Sequence, residues 1–468
     1  MRAQRSFSVL GFFACGALFA ACGSSGVSGG AGGAGGAAGV GGSGAQGTVS
    51  SVATGGAAVS VGSGGEVVGP RALPDTTSRI ALLVDRLPAA LSPAQVEFSA
   101  RHYVGARKLL LPLAKALRAV EPSFVVLHDR LGIWQGGEEL EFIVDGVSWG
   151  SDYPIVTTHE PWFWHEPGGA RVASALDGKW LMNVGSSDFA GYWYESVAKQ
   201  AALGDADGIV ATSAGPVSSV AEGCKPIDPR LQGTGVVETK LAELGNRTYA
   251  EVWEKWATTV GTELASKKLP VFFEVGGLTE AWDDTNYGGA SGLVVDVGPS
   301  ASIEPSEWLG WMNRLLPYAK SRPLLLRGRL DSPANLALRK YVLGVYLLLR
   351  GPNTYLGVRH ATSLEWYPEW RLDLGAPLVS ASSIDAYAGK GGAFVRAFEK
   401  GEVYVNAFDG PLLVKLEQPR RRVVFKDGGA VFADGAEPGS LDYAPTDTFE
   451  IGPHSAEFVL PLEDAPAP

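Results

Sequence analysis

Cysteine is scarce in this chain: there are three, and two of them fall within the first 22 residues. That excludes a disulfide-stapled scaffold and a zinc site built on cysteine. Positive charge is also short. Lys and Arg number 39 against 50 Asp and Glu, a net of −11, which excludes nucleic acid as a partner, since that needs a basic footprint. Several chemical signatures are missing. There is no H-E-x-x-H, no G-x-S-x-G between one of the apolar strands and a helix, and no G-x-G-x-x-G after the first apolar strand. Helical zinc pairs, elbow-type serine hydrolases and dinucleotide sites lose their support with them. The segments His159-Glu160-Pro161 and His165-Glu166-Pro167 look metal-like, but their prolines break the helix that would align ligands. We expect no metal and no cofactor, and we read Cys224, alone in a polar stretch, as a free thiol.

The chain opens with Arg2 and Arg5, followed by the apolar run Phe7–Ala21 and then small residues. That run is too short to span a bilayer with margin and reads as a signal peptide. Its tail, Leu18-Phe19-Ala20-Ala21-Cys22, resembles a bacterial lipobox. Lipidation at Cys22 would tie the protein to a membrane in the bacterial envelope, at the outer membrane or cell surface. Residues 23–69 hold 19 glycines and a single charge, Glu66. Such a stretch has too little to bury to offset chain entropy, and we expect a disordered tether.

From Arg79 onward the pattern changes. Eight short apolar runs stand out: Ile80–Val84, Phe124–Leu127, Trp180–Val184, Gly208–Thr212, Val271–Val275, Leu293–Val297, Leu324–Leu326 and Thr354–Val358. Helical patterns separate many of them, including one over 94–120. Apolar strands alternating with helices predict a parallel sheet with helices outside, and eight such units predict a (β/α)8 TIM barrel over 70–388. After 388 the runs shorten and turn signals such as Asp427-Gly428-Gly429 intervene. A small C-terminal antiparallel β-sandwich over 389–468 is expected.

Barrel active sites lie at the C-terminal strand ends. There the sequence sets Asp85, then His128-Asp129-Arg130, Thr212, Glu274, Asp296 and Arg327, with Trp162 and Trp193 in connecting segments. Carboxylates in pairs at a barrel mouth suit glycoside hydrolysis, where one donates a proton and the other attacks or activates water. Glu274 and Asp296 sit in apolar strands and are the leading pair, with Asp129 in reserve. Asp85, Arg130, Trp162, Trp193 and Arg327 are the expected cleft lining. As purely structural residues, Glu274 and Asp296 would instead pair with Arg327 or Arg329 across the barrel top.

Several stretches taken together resemble a known group. They are Phe98–Lys108, Val126–Gly132, His159–Val184, Asp188–Ser196, Ala206–Ser213 and Phe273–Leu278. The two most specific are Tyr367–Pro377 (YPEWRLDLGAP) and Arg396–Asn406 (RAFEKGEVYVN). In this order they are similar to the hypothetical glycosyl hydrolase 15 group of TIM-barrel glycosidases, distinct from the glucoamylases. The resemblance implies a secreted or surface glycosidase-like barrel with a C-terminal β-sandwich and a polysaccharide or oligosaccharide substrate. Four positions depart from the group's pattern. His128-Asp129-Arg130 stands for H-Y-R, and Ala211-Thr212-Ser213 for A-D-S, whose carboxylate looks catalytic. Glu274 replaces Asn, and Asp296 replaces Glu. A threonine hydroxyl cannot serve as a carboxylic acid. Either the acid has moved, with Glu274 and Asp129 as candidates, or the barrel binds carbohydrate without cleaving it. A structural surface protein with a filled barrel mouth is a third reading.

Overall fold

A computed structural model describes residues 69–462 apart from 89, 137–141, 145–146, 150–151, 216–243, 245–246, 248, 278–286, 288, 298–304, 329–334 and 359–362. The expected signal peptide, Cys22, residues 23–68 of the expected tether, Cys224 and Arg329 lie outside the described residues.

Eight parallel strands close into a barrel: β1 (Leu82–Val84), β2 (Gly105–Arg107), β3 (Val125–Leu131), β4 (Gly208–Thr212), β5 (Val271–Gly277), β6 (Leu293–Asp296), β7 (Leu324–Arg327) and β8 (Thr354–Val358). Each pairs with its neighbour in chain order, and β1 closes on β8 with Leu82 opposite Leu356. Around them run α1 (Pro93–His102), α2 (Leu111–Val120), α3 (Ser187–Leu203), α4 (Tyr249–Ser266), α5 (Pro305–Ser321) and α6 (Leu336–Leu349).

The barrel corrects the strand reading in one place. Trp180–Val184 is not a barrel strand. Lys179–Leu181 pairs antiparallel with Trp134–Gly136 in an excursion between β3 and α3. The vacant place belongs to β2, inside what reads as one helix over 94–120. α1 begins at a capping box formed by Ser92 and Gln95 and ends at Tyr103, where the chain is extended. Gly105 then starts β2, and a Cβ there would stand 2.5 Å from the Val125 carbonyl oxygen. Only glycine allows β2 to lie that close to β3.

Side chains alternate along a strand, so every second residue faces the barrel axis. Leu83, Leu127, Val210, Phe272, Val294 and Leu325 pack together with Ala81, Val125 and Tyr355 as one buried cluster. Their alternates, including Val84, Val126, Ile209, Phe273, Val295 and Leu326, belong to the larger core shared with the helices. At the N-terminal end of the barrel, Leu73 packs against the inner cluster. Arg71 pairs with Asp207 at 3.3 Å, the Tyr355 hydroxyl donates to the Pro74 carbonyl at 2.8 Å, and the Thr76 hydroxyl donates to the Gly351 carbonyl at 2.6 Å. Residues 71–76 thus close that end.

The C-terminal part is an antiparallel sheet of β9 (Phe394–Phe398), β10 (Gly401–Asn406), β11 (Leu412–Lys426), β12 (Ser440–Ile451) and β13 (Ser455–Leu460), in the order β9-β10-β13-β11-β12. One face lies on α6, where a Cβ on Gly344 would stand 2.7 Å from Ala456 and 2.9 Å from Val405. The other face carries its own cluster of Tyr404, Val414, Phe449, Ile451 and Val459. Arg396 Nη1 donates to the carbonyls of Leu347, Leu348 and Arg350 and caps the C-terminal end of α6. The described residues form one compact unit.

Candidate active site

The polar groups of the barrel mouth follow from the same alternation. Asp85, Asp129, Thr212, Glu274, Asp296 and Arg327 each come two residues after an axis-facing apolar residue. They form the next layer up, at the C-terminal strand ends. Six strands therefore aim polar side chains at one space.

Those groups are knitted into a single network. Arg107, at the end of β2, donates from Nε to Asp85. Its Nη1 lies 3.0 Å from Asp129 Oδ2 and 3.4 Å from Glu274 Oε2. Arg327 reaches Glu274 Oε1 with Nη2 at 2.7 Å and Asp296 Oδ1 with Nε at 2.5 Å. Lys108 Nζ lies 3.5 Å from Asp85 Oδ1. The Thr212 hydroxyl donates to Asp129 Oδ1 at 2.9 Å.

The network splits the carboxylates electrostatically. Burial pushes the Asp129 carboxyl above its ordinary range; Arg107 opposes this, while Asp85 and Glu274 add to the rise. Burial acts on Glu274 in the same sense, but Arg327 and Arg107 outweigh it and hold that carboxyl below its usual range. Burial raises Asp85 too, yet Arg107 and Lys108 pull it down to about 2. His128 is fully buried, and burial together with Arg130 lowers its imidazole to about 3, so it is neutral.

The expected cleft lining is only partly assembled. Asp85, Asp129, Glu274, Asp296 and Arg327 come together. Arg130 does not join them: as the next residue after Asp129 it faces the opposite side of β3 and pairs with Asp152 at 3.0 Å, to which the Tyr192 hydroxyl also donates. Trp193 is not a sugar platform. It lies on α3, 2% exposed, edge-on to Trp256, with its indole N–H donating to the Leu131 carbonyl at 2.8 Å. Trp162 is buried too, with His159 stacked on its ring at 4.0 Å and Tyr192 at 4.8 Å. Both satisfy the core before they can offer a face to solvent. Arg107 and Lys108 are the mouth residues that sequence reasoning missed. The signal was Tyr103-Val104 followed by glycine, a short β-prone stretch ended by two cations. Among the described residues no cluster of His, Cys, Asp and Glu is arranged to hold a metal ion.

A barrel of this topology with a carboxylate-bearing mouth fits a family whose model matches residues 118–402. The chain belongs to hypothetical glycosyl hydrolase family 15. Solved structures similar to this family member include an α-amylase from Malbranchea cinnamomea, at 9% identity and a TM-score of 0.41 over 82% of this chain and 96% of that one. A xylosidase from Aspergillus niger matches at 8% and 0.42, over 85% and 66%. An α-amylase from Geobacillus thermoleovorans complexed with acarbose matches at 10% and 0.35, over 82% and 99%. No curated protein matches the sequence.

Two of the departures from the family pattern are in contact. Asp129 on β3 and Thr212 on β4 are hydrogen-bonded.

Proposed function

We propose that the protein is a glycoside hydrolase acting on polysaccharide outside the cell, with Asp129 as proton donor and Glu274 as the ionised partner. The observation that carries this reading is the meeting of carboxylates from two strands on one guanidinium nitrogen, Asp129 at 3.0 Å and Glu274 at 3.4 Å from Arg107 Nη1, with burial pushing Asp129 upward and two guanidiniums holding Glu274 down. Such a split assigns acid and base within a pair. Asp129 keeps its proton for the leaving oxygen, while Glu274 stays charged to face the anomeric carbon. Asp296, gripped by Arg327, steadies that arginine.

Both carboxylates approach the same guanidinium nitrogen. That closeness suits direct attack by the second carboxylate, the geometry of retaining enzymes at about 5–5.5 Å, better than the wider gap that admits a water. Retention of anomeric configuration is the expected stereochemistry. The pH profile follows from the same split. Activity rises as Glu274 ionises at low pH and falls on the alkaline side as Asp129 loses its proton.

A non-catalytic carbohydrate-binding barrel is the second reading, and one observation favours it: Arg327 holds Glu274 and Asp296 together as an ion-pair cluster. Hydrolysis of a panel of extracellular polysaccharides by wild type, Asp129→Asn and Glu274→Gln separates the two. Under the hydrolase reading, each substitution lowers kcat by roughly 10²–10⁴-fold, and proton NMR of the first product shows the retained anomer. If all three bind a glycan equally and none cleaves it, the binding barrel stands instead.

A further inference from the structure

Among the described mouth residues, Arg107 touches carboxylates from three different strands. Its side chain is 3% exposed. Nε donates to Asp85 just beyond β1, and Nη1 meets Asp129 of β3 and Glu274 of β5. A guanidinium is planar and its N–H groups form a rigid fork, so fixing one contact fixes the direction of the others. We propose that Arg107 is a positioning residue that sets the mutual placement of Asp129 and Glu274, an inference that rests on reading those two as the catalytic pair.

The contacts divide the work. Asp129 is held from two sides, with Thr212 on Oδ1 and Arg107 on Oδ2. Glu274 is held by Arg327 on Oε1 and Arg107 on Oε2. Arg107 is the one of these partners that both carboxylates share. Asp85 anchors the far edge of its guanidinium, and Lys108 in turn lies beside Asp85. The fork therefore cannot follow a carboxylate that drifts. A lysine at the same place would keep the charge but present a point rather than a plane. Because a near-attack arrangement tolerates little displacement, geometry and charge are separable at this position.

The test compares wild type, Arg107→Lys and Arg107→Met in two measurements. One is the pH dependence of kcat and KM on the polysaccharide that wild type cleaves. The other is the titration of ¹³C-labelled Asp and Glu carboxyls. For Arg107→Lys, kcat should fall about a hundredfold with KM within about twofold, and the carboxyl titrations should stay close to wild type. Arg107→Met removes a positive neighbour, so Asp129 and Glu274 should both titrate at higher pH and both limbs of the profile should move to the alkaline side. A merely structural arginine would lower activity without moving the limbs. Wild-type kcat in Arg107→Lys, or unmoved limbs in Arg107→Met, overturns the inference. If Arg107→Met does not fold, kcat of Arg107→Lys decides alone. An inactive wild type removes the hydrolase reading itself, a result distinct from an active wild type indifferent to Arg107.

Discussion

Thr212 donates its hydroxyl to the Asp129 carboxyl. Its hydroxyl cannot donate a proton as an acid does, but it stabilises the carboxyl beside it. Sequence alone put Glu274 in the leading pair and kept Asp129 in reserve; in space the two differ in the number of guanidinium groups each meets. Glu274 meets two and Asp129 one. Asp85 carries a further consequence. Its folded-state value of about 2 lies below the ordinary 3.8. A depressed carboxyl contributes stability that is present above the unfolded value and lost as pH falls through the folded one. Asp85 should therefore contribute roughly 2 kcal/mol at neutral pH, fading between about pH 4 and pH 2. Urea unfolding of wild type and Asp85→Asn across that window checks it. The variant should be less stable at pH 6, and the two curves should converge toward pH 2. Parallel curves would show that Arg107 and Lys108 do not stabilise the charged form.

At the level of elements, strands made of apolar runs were readable, even three-residue β1, and glycine-led β2 was not. Gly208–Thr212 and Val271–Gly277 announce themselves by β-branched and aromatic residues in sequence. β2 has three residues, one of them glycine, and borrows its stability from β1 and β3, so its local pattern is faint. Trp180 and its neighbours misled for the converse reason: an apolar run pairs equally well in a local ribbon. The two segments most characteristic of the family explain why site residues were harder to read than fold. Arg396 caps α6, Asn406 Nδ2 donates to the carbonyls of Gly410, Ile451 and Gly452, and Glu369 pairs with Arg339 at 2.6 Å. Those motifs fasten elements together, whereas the mouth is where this chain departs from the pattern. A prediction also belongs to the end of α4. Lys268 follows that helix with φ +62 and is exposed, and the Leu269 N–H bonds back to the Leu264 carbonyl at 2.9 Å. A left-handed turn here suits glycine. Lys268→Gly should raise stability by roughly 0.5–1 kcal/mol, read as a higher denaturant midpoint with unchanged slope. A lower midpoint would mean that the lysine side chain matters more than its backbone.

Across the whole molecule, α6 is the common wall. Most of its length is buried, from Leu338 and Arg339 to the run Tyr341–Leu349. A helix apolar on every side needs cover on every side. The barrel covers one flank, where the Tyr346 hydroxyl accepts from the Ala81 N–H at 3.2 Å, and the C-terminal sheet covers the other at Gly344. Neither part can part from α6 without exposing core, so both should unfold together. Scanning calorimetry of residues 69–468 should show one transition with matching calorimetric and van't Hoff enthalpies, and two resolved peaks would refute the coupling. The segment Arg71–Thr76 has a different consequence. It corks the pole of the cylinder opposite the carboxylates, so nothing reaches them from that side. A handle fused directly ahead of Gly69 would join the molecule at its stopper, at the pole away from the carboxylates.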